Sequence, residues 1–173
     1  MVLIANLKEL SSFKSKLLRY FLSNQELVNL IRGSENNAVP DFALRYNQVF
    51  PYAWVDDPSD EEKAYICFDV DVPRVSSNAI KDVQLSIWVF AHKSIMRTPS
   101  GTLIDRMASC IDKMLNGSDE FGVSTLELKY VAREKMSKDM YGRVLVYTVK
   151  DINRWKCCDG SEESAIATSK NHI

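Results

Sequence analysis

Histidine is nearly missing from this 173-residue chain, which holds only His92 and His172. Its four cysteines, Cys67, Cys110, Cys157 and Cys158, form no C-x-x-C pair. Together these scarcities leave little from which to build a structural zinc site, which needs closely spaced nitrogen and sulfur ligands. Cys67 and Cys110 lie in apolar settings and read as small hydrophobes, so reduced thiols in a cytosolic setting are expected. The six glycines are dispersed, which excludes a glycine-rich phosphate loop. His92 follows a strand as an isolated candidate base, but no serine–histidine–acid arrangement stands out, and Cys110 sits in an apolar stripe. No cofactor is expected.

Surplus charge is missing as well. Twenty-two basic and 23 acidic side chains leave a net charge of −1. A protein whose main task is gripping nucleic acid rests on excess Lys and Arg. Long apolar runs are also lacking. The opening MVLIANLKEL is apolar for four residues, short of the roughly 7–15 of a signal peptide. The run IWVFA falls far below the roughly 20 residues that span a bilayer.

What the chain does have is periodicity. Hydrophobic residues make up 46% of it and charged residues 26%, enough for a packed core. Residues 1–153 read as a single α+β domain and 154–173 as a polar tail. Leu10, Phe13, Leu17, Leu18, Phe21 and Leu22 recur at helical spacing, with Ser11 and Ser12 as candidate caps. Asn24 is placed to cap a second short helix, QELVNLIR, ended by Gly33, so helices are expected over 10–32. Residues 33–62 form a long arm without a period, rich in aromatics and closed by Asp56, Asp57, Asp60, Glu61 and Glu62. Such an arm is expected to lie across the core or across a neighbouring subunit.

The core spans 63–153. AYICFDVDV, residues 64–72, alternates as a strand, with Pro73 and the following polar run as a connection. KDVQLSIWVFAHKS, residues 81–94, pairs with it as a hairpin. Residues 101–118 form the clearest helix, capped by Ser100 or Thr102 and closed by Gly117. TLELKYVAR puts Leu126, Leu128 and Tyr130 on one face. YGRVLVYTVKD is apolar on both faces in its middle, as a central strand would be. The expected fold is a roughly four-stranded, mainly antiparallel sheet with the long helix on one face and N-terminal helices.

The strand of residues 81–94 carries more apolar surface than one helix layer can hide. Val83, Leu85, Ile87, Val89 and Ala91 fill one face, while Trp88 and Phe90 stand on the other. Hiding two such aromatics removes about 300–500 Å² from water, worth on the order of 10 kcal/mol before entropy. The arm or the N-terminal helices would cover them internally; a companion chain would cover them otherwise. An interface set of Trp54, Asp56, Asp57, Trp88, Phe90 and Trp155 is expected on the second reading. No catalytic or metal residue is assigned. The sharpest enzymatic alternative is a metal-dependent nuclease, with Asp69 and Asp71 as a D-x-D pair and Glu127 with Lys129 as an E-x-K. A monomeric intracellular adaptor is the third reading.

Several stretches carry a resemblance: FPYAWVDDPSDEEKAYICFDVDVP, KDVQLSIWVFAHKS, GTLIDRMASCIDKMLNGSDEFGVSTLEL and GRVLVYTVKDIN. In pattern and order, over roughly residues 50–153, they are similar to tailed-bacteriophage neck and tail-completion proteins, nearest to the tail-terminator group. The resemblance implies a non-enzymatic structural virion protein with no catalytic residue. It implies a homo-oligomeric ring, commonly a hexamer, at the head–tail junction, made in the host cytoplasm. Such a ring terminates the tail tube, docks it to head-completion or connector proteins, and lets DNA pass through its lumen without specific binding; no membrane is involved.

Overall fold

The computed structural model describes residues 9–33, 40–53, 62–76 and 79–152. Helix α1 (Glu9–Ser23) runs into α2 (Gln25–Arg32) through Asn24, whose side chain accepts the Leu27 N–H and caps α2. The extended backbone of Asn24 breaks the helical run and lets two apolar stripes turn onto one core. Ser11 and Ser12 do not cap α1, because the helix already starts at Glu9. Gly33 closes α2 at φ +64°, a conformation suited to glycine.

Part of the arm becomes a strand. After a 3₁₀ turn at Asp41–Leu44, β1 (Val49–Phe50) pairs in parallel with the start of β2 (Ala64–Val75). Buried Gln48 holds this corner, donating from Nε2 to the carbonyls of Ile31 and Ala64. Strand β2 does not stop at Pro73. It continues to Val75 by shifting register between Asp71 and Arg74, a bulge that admits a residue with no N–H to give. Strand β3 (Ile80–His92) returns antiparallel to it, and β4 (Arg97–Thr98) with β5 (Gly101–Thr102) forms a small hairpin ahead of α3 (Leu103–Leu115). Thr102 caps α3 by accepting the Asp105 N–H. Strands β6 (Glu127–Lys135) and β7 (Met140–Ile152) close the chain.

The fold is therefore α+β. Its five-stranded, mostly antiparallel sheet runs β1-β2-β3-β7-β6, with β3 in the middle and the doubly apolar β7 an interior strand between β3 and β6. The fifth strand is the two-residue β1 from the arm. All three helices pack on one face. Phe21 meets Phe68 edge to face at 5.4 Å, and Leu17, Val28, Met107 and Ile111 complete a core against Ile66, Leu85, Ile87 and Leu145. Two polar side chains that enter this layer each reach an acid. Lys81 is 1% exposed and pairs with Glu9 of α1 and, at 3.8 Å, Asp151 of β7. The Tyr147 hydroxyl donates to Asp112 of α3 at 3.1 Å.

Candidate functional site: the helix-free face of the sheet

Residues directly opposite one another on paired strands point to the same side of a sheet. The register thus writes out the second face row by row. Its first row is Tyr65, Phe90, Gly142 and Glu134; its second is Cys67, Trp88, Val144 and Ala132. The third is Asp69, Ser86, Val146 and Tyr130, and the fourth Asp71, Gln84, Thr148 and Glu127. The face grades from aromatic at one end to charged and amide at the other. No helix of the described residues lies over it.

The aromatic end has a partial roof of its own. Phe90 is 3% exposed, enclosed with Phe50, Tyr65, Cys67 and Met140 in a second, smaller apolar cluster. Its ring fits only because position 142 has no side chain: a Cβ on Gly142 would stand 2.3 Å from Phe90 Cδ1 and from the Val89 carbonyl oxygen. Phe90 is thus covered by the chain itself, through the arm and β7, rather than left open for a companion. Trp88 is only partly buried. It borders a groove of about 210 Å³ with Ala53, Cys67, Glu134 and Met136. Trp54, Asp56, Asp57 and Trp155 lie outside the described residues.

Tyr130 joins this face by an irregularity that alternation does not reveal. The β6–β7 register shifts between Leu128 and Tyr130, so Leu128 pairs with Tyr147 on the helix side while Tyr130 pairs with Val146 on the open side. The expectation that Leu128 and Tyr130 share a face is overturned by this bulge, which admits Lys129 as an extra residue. Tyr130 is 54% exposed. Met136 and Met140, at the β6–β7 turn, also escaped notice, since a lone methionine beside a polar turn has no periodic signature.

The four residues of the nuclease reading do not converge. Asp71 and Glu127 stand at opposite ends of one row with Gln84 and Thr148 between them. Three strand spacings separate them by about 14 Å, whereas a shared divalent cation needs oxygens within about 2.6 Å of itself. Asp69 is paired with Lys14 of α1 at 2.6 Å. Lys129 donates to Glu127 at 2.6 Å, which holds that carboxyl below its ordinary range. Among the described residues no group of three His, Cys, Asp or Glu is placed to hold a metal. His92 caps the 3₁₀ turn at Lys93–Ile95, its Nδ1 accepting the Ser94 N–H.

Both borders of the sheet are guarded. Beyond the two residues matched by β1, the outer edge of β2 carries Asp69, whose Oδ1 accepts the Val70 N–H at 2.7 Å, and then Pro73. At the other border, β6 carries Glu127, Lys129, Arg133, Glu134 and Lys135 within nine residues, together with its bulge. Charge, proline and bulges are the usual means of refusing a further strand.

A search of curated proteins returns no match. The YomW family model matches residues 24–149, well over half of the chain. The match begins at the cap of α2 and ends within β7, so it takes in β1, β2, β3 and β6, most of β7 and two of the three described α-helices. On this match the chain belongs to the YomW family.

Proposed function

We propose that this chain is a structural subunit that closes into a ring at the head–tail junction of a tailed bacteriophage, ending the tail tube and docking it to the connector. The observation that carries this reading is the helix-free sheet face. A monomer of this size normally buries both faces of so apolar a sheet or leaves one of them polar. Here the second face keeps Tyr130 exposed and Trp88 half-covered beside an open groove. With both borders guarded against strand addition, a second copy meets this subunit across the face and the groove, not along an edge. A ring requires that this face meet a different surface of the neighbouring copy, in a contact whose rotation closes. The gradient from aromatic to charged rows fixes the direction in which a neighbour is seated.

The resemblance over roughly residues 50–153 supplies the location, a hexameric ring being the commonest form in that group. Mass photometry of the purified chain across concentrations, with and without tail-tube protein, checks the assembly. The expected result is a ring of fixed copy number that falls apart in Trp88→Ala with Tyr130→Glu. A strict monomer under every condition, or absence of the chain from purified particles, would overturn the reading. The separation of Asp71 from Glu127 leaves the nuclease alternative without a shared metal site.

A further inference from the structure

We infer that the cleft between α2, the start of β2 and the β4–β5 hairpin is a binding site for a phosphate-bearing ligand. The cleft has a volume of about 580 Å³ and lies on the helix side of the sheet, away from the face described above. Arg97 in β4 and Arg106 in α3 line it, together with Arg32 at the end of α2 and Lys63 in the connection before β2. Among the described residues of the lining, Glu62 supplies a carboxylate and is exposed.

The backbone at this end of α3 is already engaged. The Leu103 N–H donates to the Met96 carbonyl and the Asp105 N–H to Thr102 Oγ1. Recognition therefore falls to the side chains. Among the described residues, neither Arg97 nor Arg106 has a carboxylate within 4 Å. The guanidinium fork matches two phosphate oxygens at once, and it holds its charge at any physiological pH. Leu30, Leu103 and Pro99 give the same cleft an apolar wall. A volume within the usual range for small-molecule sites, an apolar wall and a few convergent charges together suit a phosphate attached to an organic body. A mononucleotide or a stretch of DNA backbone both present that chemistry.

Calorimetric titration of the full-length chain with inorganic phosphate, adenosine monophosphate and a short single-stranded DNA tests this. Binding is expected to weaken about tenfold or more in Arg106→Glu, the loss of one charge-assisted contact, and to survive in the control Lys129→Glu on the far strand β6. Equal affinity for the mononucleotide and the DNA identifies a small-molecule site. Tighter DNA binding that falls steeply with salt identifies the backbone as the source. No binding of any of the three at millimolar concentration, or binding unchanged in both Arg106→Glu and Arg97→Glu, overturns the inference. So does stronger binding of a poly-glutamate peptide than of every phosphate probe.

Discussion

The two faces of this sheet are made from the same strands and stabilised in different ways. On the helix side, aliphatic residues and the Phe21–Phe68 pair fill the layer, and Lys81 and Tyr147 each reach an acid. On the other side there is no second layer among the described residues. A short arm strand and the β6–β7 turn roof one end with Phe50, Met136 and Met140, and the rest stays open. Alternation sends side chains to both sides of a strand, but it does not say what will cover them. Cover is a long-range property, and it is what distinguishes the two faces.

Four substitutions break or sharpen that division. Phe68→Ala removes a fully buried ring from the helix side and is expected to cost about 3–5 kcal/mol in urea unfolding. Gly142→Ala strikes the roofed end of the other face. Its methyl would meet Phe90 and the Val89 carbonyl, and overpacking of this kind costs about 1–3 kcal/mol. An unchanged melt would show that the small cluster around Phe90 is loose. Trp88→Ala is expected to cost only about 1 kcal/mol in the monomer while abolishing the assembly proposed above. If instead it destabilises as much as Phe68→Ala, the faces do not differ in kind.

The smallest expected effect at neutral pH is that of Tyr147→Phe, at about 1 kcal/mol for one hydrogen bond. Burial, and then the charge and hydrogen bond of Asp112, push the Tyr147 hydroxyl well above the ordinary phenol range. A phenol whose folded pKa lies above its unfolded value near 10 contributes stability that is present below about pH 10 and lost as pH rises beyond it. Unfolding of the wild type should therefore steepen above pH 10. Tyr147→Phe should flatten that slope, and identical alkaline profiles would place the hydroxyl in water.

Much of the fold was legible because local signals agreed. Asn24 and Gly33 bracket α2, Thr102 opens α3, and the double apolar alternation of residues 141–151 marks an interior strand, paired on both sides. The misreadings share a cause. Pro73 reads as a stop, yet a register shift carries β2 past it; Tyr130 reads as a partner of Leu128, yet another shift turns it over. Bulges insert one residue and leave no trace in periodicity. Of the expected interface set, Phe90 was placed on the correct face, but the ring-sized space above Gly142 that hides it depends on a residue 52 positions away. The four cations of the cleft converge from positions 32, 63, 97 and 106, and no linear pattern brings them together.

The guarded borders have a consequence for solution behaviour. A bare, flat sheet margin recruits strands from other molecules and seeds fibrils. With Asp69 folded onto its own backbone and Pro73 offering no N–H, and with five charges spaced along β6, this polypeptide should tolerate dense crowding without stacking into amyloid.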